Sequence, residues 1–121
     1  MKIEQFFKSV LEQEQSSVVI CDLNHTIVYM NPFAIKRYHK DLTGSNLLKC
    51  HNSSSNEKII RVVEWFKTDK NHNIIYESHN EVENKDVYMV AMRDDNGNLI
   101  GYFEKHEYRN RETKTFYEGL E

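Results

Sequence analysis

Toward its C-terminal end the chain reads Val87-Tyr88-Met89-Val90-Ala91-Met92, then Asp94-Asp95-Asn96-Gly97, then Leu99-Ile100-Gly101-Tyr102-Phe103-Glu104-Lys105-His106. Two apolar runs joined through an Asn-Gly step specify a β-hairpin, because a turn with left-handed central residues follows the twist of its flanking strands. Strands this apolar must be covered by a further layer. The residues upstream supply it.

Val18-Val19-Ile20-Cys21 is a β-branched run that suits a buried strand, and Thr26-Ile27-Val28-Tyr29-Met30 reads as a second strand. Asp22-Leu23-Asn24-His25 joins them in a hairpin. At Asn31-Pro32 the period changes: Asn is a good N-cap and Pro suits the first helical position, which predicts a helix from Pro32 to His39. Ile59, Ile60, Val62, Val63, Trp65 and Phe66 recur at 3.6-residue spacing and predict a helix over 55–67. Ser54 with Glu57 fits the capping-box spacing at its start. Asn73 to Glu81, with Ile74, Ile75 and Tyr76, predicts one more strand. Residues 1–15 carry Ile3, Phe6, Phe7, Val10 and Leu11 on one stripe of an amphipathic helix. Residues 108–121 read as a polar tail, with Phe116, Tyr117 and Leu120 able to anchor a turn. Five strands with helices segregated between them predict an α+β fold, an antiparallel sheet with a helical block on one face.

Composition narrows the function. With 16 Lys and Arg against 19 Asp and Glu, the net charge of −3 argues against a general nucleic-acid binder. No apolar run has the roughly 18–20 residues of a membrane span, and the N-terminal apolar stretch is broken too early for a signal peptide. Two cysteines, Cys21 and Cys50, make no disulfide framework. The expectation is a reduced, cytoplasmic single domain that binds neither nucleic acid nor membrane. There is no H-E-x-x-H, C-x-x-C or G-x-S-x-G motif, so zinc chemistry and nucleophilic catalysis find no support and no enzymatic role is expected.

The landmarks, taken in order, resemble a PAS domain. The strand pair Val18–Asp22 and Thr26–Met30 resembles the PAS opening, in which an Asp ends the first strand. Asn31-Pro32-x-Ala34 is similar to the PAS N-P-A helix start, with Phe33 inserted. Gly44 followed by Leu47-Leu48 resembles the G-x-x-L step, and Asp94 to Tyr102 resembles the D-x-x-G-x-x-x-G turn between the last two PAS strands. The resemblance spans residues 4–107. Leu48-Lys49-Cys50-His51-Asn52 is similar to the branch with an N-C-H-P-P step before the long helix, with Asn52-Ser53 in place of the prolines. The implied organisation is an N-terminal flanking helix (1–15), a freestanding PAS domain (16–107) and a tail (108–121).

That resemblance implies a curved five-stranded sheet, a small-molecule cavity between sheet and helices, and a sensory role. The candidate ligand-binding side chains are Ile20, Ile27, Phe33, Leu47, His51, Ile59, Val63, Tyr88, Val90 and Met92. The alternative is that they fill the core and the module acts only through protein interaction. Some PAS domains place a haem-ligating His in the helical block, which makes His51, with Cys50 as a thiolate neighbour, the candidate for a haem-based redox or gas sensor. Covalent flavin photochemistry is not expected, since Asn46 to His51 lacks the reactive-cysteine pattern. PAS domains commonly pair through a flanking helix, which implies a homodimer through Ile3, Phe6, Phe7, Val10 and Leu11, and a downstream protein partner.

Overall fold

The computed structural model describes residues 1–120. In chain order the elements are α1 (Ile3–Gln13), β1 (Val19–Asp22), β2 (Ile27–Met30), α2 (Pro32–Tyr38), a 3-10 turn (Leu47–Cys50), α3 (Ser53–Thr68), β3 (Ile74–Asn80), β4 (Lys85–Arg93) and β5 (Leu99–Tyr108). The strands form one antiparallel sheet in the order β2-β1-β5-β4-β3. The fold is α+β, as expected.

Each landmark of the sequence has a local physical cause. Asp22 Oδ1 accepts from the backbone N–H groups of Asn24 (2.9 Å) and Thr26 (3.0 Å), which closes the β1–β2 turn while His25 takes a left-handed φ of 64°. Asp94 Oδ1 does the same for Asn96 and Asn98, at 2.9 Å each, beside Gly97 at φ 82°. Gly101 faces Asp22 across the β1–β5 pairing, and a Cβ there would collide with the Cys21 carbonyl oxygen. The second glycine of the turn motif is therefore a close-approach position.

Asn31 is the main junction. It is fully buried, caps α2 through Ala34 N–H (2.9 Å), and also accepts from Val18 N–H (3.0 Å). Its amide donates to the carbonyls of Ser16 (3.0 Å) and Leu11 (3.1 Å). One side chain thus ties α1, the start of β1 and α2 together. Helix α3 starts at Ser53 with Asn52 as its N-cap, accepting from Ser55 N–H at 2.8 Å, so the Ser54–Glu57 pair is not its cap. The Asn side chain reaches the first turn two residues earlier than the serine would. At the other end of α3, Arg93 donates to the carbonyls of Phe66 (2.7 Å), Asp69, His72 and Gly97 (3.1 Å each). That cation satisfies the helix's terminal carbonyls and fastens it to the β4–β5 hairpin.

The core lies between α3 and the sheet. Ile59, Val63 and Phe66 form the buried stripe of α3, against Met89 of β4, Tyr102 of β5, Cys21 of β1, Ile27 and Met30 of β2, and Ala34 of α2. Strand alternation then fixes the faces. Val87, Met89 and Ala91 point to the core side, which puts Tyr88, Val90 and Met92 on the opposite face. Cys21 points inward, and its neighbour Ile20 pairs with Tyr29 and Phe103 on the outer face.

Helix α1 buries none of its residues; Ile3, Phe6, Phe7 and Val10 are exposed and Leu11 is half-buried. It is attached at its C-terminal end, through Asn31 and through the Tyr29 hydroxyl donating to Glu12 Oε2 at 2.8 Å. Beyond β5, residues 115–120 form a turn whose Phe116, Tyr117 and Leu120 are exposed rather than anchoring, and Glu121 lies outside the described residues. Among the described residues, no helix is long and apolar enough to cross a membrane.

Candidate functional site

A cavity of about 150 Å³ lies between the inner sheet face and the segment from α2 through the 3-10 turn. The loop after α2 places that segment: Gly44 N–H donates to Ile27 O (2.8 Å), Ile27 N–H to Ser45 O (2.9 Å), and Leu47 N–H to His25 O (2.8 Å). These bonds occupy the open edge of β2 and hang Leu47, Cys50 and His51 over the sheet. Its lining includes Val19, Cys21, Ile27, Met30, Leu42 and Leu47. The lining also carries Tyr38, Cys50, His51, Tyr102, Glu104 and His106.

The titratable groups of the wall sit in a desolvated setting. Burial pushes the Cys21 thiol up to about 11, raises the Tyr38 and Tyr102 hydroxyls, and lowers His106 to about 4. Glu104 is likewise raised, by burial. The wall therefore favours the neutral form of each of these groups. Tyr102 hydrogen-bonds Cys21, and its hydroxyl lies 2.7 Å from His25 Nδ1.

A β-bulge shapes the polar end. Tyr76 faces Tyr88 and Ser78 faces Val87, so Glu77 is the extra residue of β3. Although Glu77 stands at the exposed rim of the strand, its carboxyl is hydrogen-bonded to Glu104. Desolvation, then the neighbouring Glu104 carboxylate, raise it to about 7. Both neighbouring carboxyls are thereby shifted toward the protonated form. His106 is nine-tenths buried, its Nε2 lies 3.7 Å from Glu104 Oε2, and its Nδ1 has no hydrogen-bond partner. His51 is exposed, and its Nδ1 lies 3.0 Å from the Leu47 carbonyl. A carbonyl only accepts, so Nδ1 carries the proton and Nε2 of the neutral ring is an acceptor.

Of the expected ligand-binding side chains, Ile27, Leu47 and His51 stand on the cavity wall, together with Cys50. Ile59 and Val63 belong to the packed core beneath it. Phe33 is half-buried beside Ala34, which takes the inward position of α2. Ile20, Tyr88, Val90 and Met92 are on the outer face, since the strands enter with the opposite phase. Glu104 and His106 were missed because polar residues two apart in a strand read as its wet face, and nothing in the local sequence reverses that.

A haem does not fit these residues. The cavity is far smaller than a tetrapyrrole. Among the described residues, no group of three or more His, Cys, Asp or Glu side chains converges to hold a metal ion.

No protein-family model and no curated protein matches the chain. Solved structures do. A C-terminal domain from Streptococcus mutans superposes with a TM-score of 0.67 at 18% identity, covering 89% of this chain and 85% of that one. The PAS domain of a protein from Colwellia psychrerythraea gives 0.66 at 14% identity, covering 89% and 98%. A sensory box sensor histidine kinase from Vibrio cholerae gives 0.60 at 12% identity, covering 89% and 90%. The architecture is thus that of an antiparallel-sheet α+β module with its helices on one face. The particular fold is PAS, the one the sequence landmarks resemble.

Proposed function

We propose that the chain is a non-enzymatic, cytoplasmic sensory module that takes a small molecule into the cavity beneath α2 and the 3-10 turn. It signals through a homodimer or a protein partner. The cavity itself carries the reading: α2, the loop after it and the 3-10 turn close it with Tyr38, Leu42, Leu47, Cys50 and His51, and no α3 side chain lines it. A ligand that favours one position of this segment shifts its population, and Asn31 links the base of α2 to α1. Similar structures include a PAS domain and a sensory box histidine kinase, which agrees with a sensory role.

The expected output surface is α1, whose Ile3, Phe6, Phe7 and Val10 are uncovered, with Leu11 at their edge. A second copy of the chain is the proposed cover, as a self-complementary two-fold contact. The test is denaturing extraction and mass spectrometry of the purified protein, beside Leu47→Phe, which fills the cavity. A small molecule carried by the parent and absent from the variant is the expected result. Sedimentation then reads the dimer, with Phe6→Asp and Phe7→Asp expected to give monomer. A parent that carries nothing and accepts no small molecule on titration, yet sediments as a dimer, would leave an interaction module in place of a ligand sensor.

A further inference from the structure

We propose that the open edge of β3, with the groove between it and α3, receives residues 115–120 of a second copy of the chain as a short added strand. Neither surface belongs to the cavity. The sheet has two edges, and the fold treats them differently. The β2 edge is closed by the chain's own loop, through the bonds of the Gly44, Ile27 and Leu47 N–H groups and the Thr26–Asn46 bridge. Among the described residues, no strand lies on the far side of β3. Ala91 N–H donates to the Asn73 carbonyl at 2.8 Å, so Asn73 and Ile75 turn their backbone groups to β4, and Ile74 and Tyr76 turn theirs outward. A bare edge of this kind is a template for another strand.

The groove decides what that strand carries. It is lined by the half-buried Val62, Trp65 and Ile75 and by the exposed Lys58 and Arg61. Among the described residues neither of these cations has a hydrogen bond or an ion pair, whereas Lys67 of the same helix is held on Glu64 at 3.0 Å. Such a groove takes apolar side chains with an acid among them. On the other face of β3, Ile74 and Tyr76 are exposed and offer cross-strand contact to an aromatic ring.

The segment after β5 has that pattern. Phe116, Tyr117 and Leu120 are 97%, 83% and 78% exposed. In an extended strand Phe116, Glu118 and Leu120 share one face, for the groove, and Tyr117 takes the other, beside Ile74 and Tyr76. As it stands, the segment is coiled by Glu118 N–H on the Thr115 carbonyl (3.2 Å) and Leu120 N–H on the Tyr117 carbonyl (3.0 Å). Tyr117 has a φ of 57°, a left-handed conformation that bulky side chains rarely take, and extension relieves it. Its own molecule is the poorer acceptor. Arg109 N–H on the Asn84 carbonyl and Asn84 Nδ2–H on Asn110 Oδ1, at 2.8 Å each, pin the start of the segment at the β3–β4 turn. From there a straight antiparallel run along β3 reaches Ile75 at about Phe116 and carries Glu118 past Ile74. That is away from Arg61 and Lys58, which lie about one and two turns before Trp65 on α3. A second copy has no such tether, and its Glu118 is free to meet both cations.

The experiment is an isotope-filtered NOE measurement on an equal mixture of labelled and unlabelled chains at millimolar concentration. Cross-peaks between copies are expected from Phe116 and Leu120 to Trp65 and Ile75, fading on dilution. Glu118→Lys should weaken them roughly fivefold, and mixing that chain with one carrying Lys58→Glu and Arg61→Glu should restore them. All these side chains are exposed, and a dispersed amide spectrum checks that each variant is folded. If the doubly reversed chain does not fold, Arg61→Glu alone replaces it, with partial restoration expected. No cross-peaks between copies would overturn the proposal, as would contacts confined to one chain. Intensities indifferent to Glu118→Lys, or not restored by the reversed cations, would overturn it equally.

Discussion

Asn31→Ala tests the junction on which the N-terminal half depends. The side chain is completely buried and makes four hydrogen bonds of 3.1 Å or shorter, two accepted and two donated. Truncation removes the N-cap of α2, which costs about 1 kcal/mol. It also leaves the buried Val18 N–H without its acceptor, at about 1–3 kcal/mol. The half-buried Leu11 carbonyl also loses a donor and is assigned little, whereas the buried Ser16 carbonyl adds about 1 kcal/mol. The expected loss is therefore about 3–5 kcal/mol, a large part of the roughly 5–15 kcal/mol of an ordinary domain. For a chain of this length it corresponds to a fall in Tm of roughly 10–20 °C. Equilibrium urea unfolding followed by circular dichroism measures it directly, with Tyr29→Phe as a control that removes one peripheral α1 bond and should cost about 1 kcal/mol. Limited proteolysis should also cut Asn31→Ala between α1 and β1 faster than the parent. A loss below about 1 kcal/mol would mean that water or backbone relaxation satisfies these groups, and the junction argument would be refuted.

The face assignment predicts that Met89→Ala costs about 2–5 kcal/mol and its neighbour Val90→Ala well under half as much; equal losses in chemical denaturation would contradict it. Gly101→Ala should destabilise the protein far more than Gly44→Ala. The first drives a Cβ into the Cys21 carbonyl, whereas the second meets only the strain of its φ of 93°, and thermal melts rank them. Two pH slopes of opposite sign are expected. His106, lowered to about 4 by burial, makes stability fall as pH drops from its unfolded value of 6.5 toward 4, because the unfolded chain takes up the proton first. Glu77, raised to about 7, makes stability fall as pH rises from 4.5 toward 7, because the unfolded chain releases the proton first. Between 4.5 and 6.5 they oppose one another. His106→Gln should make that window's slope more negative with rising pH and Glu77→Gln more positive; parallel curves for all three proteins would refute both assignments.

The order of elements was legible because turn chemistry and periodicity leave few alternatives. Asn31-Pro32 marks a change from strand to helix, and Asn96-Gly97 marks a hairpin, whatever surrounds them. Strand phase was not legible. Val87 to Met92 and Val18 to Cys21 are apolar at successive positions, so either face reads as the inner one, and the candidate list took Tyr88, Val90, Met92 and Ile20 where the chain uses Val87, Met89 and Cys21. On β5 the pattern misleads outright. Tyr102, Glu104 and His106 face inward because Gly101 and Tyr102 must meet β1 closely, a tertiary requirement that no window of sequence contains. The bulge that brings Glu77 to Glu104 is likewise a matter of pairing register between distant strands.

The attachment of α1 by one end has a mechanical consequence. From Leu11, where Asn31 grips it, to Ile3 is about 12 Å of helix at 1.5 Å per residue. A 10° turn of the gripped end therefore sweeps the free tip by roughly 2 Å, comparable with the helix shifts that separate two packed states. The helix works as a lever with its fulcrum at a buried amide, and a displacement too small to notice at the fulcrum becomes, at Phe6 and Ile3, a change of neighbours.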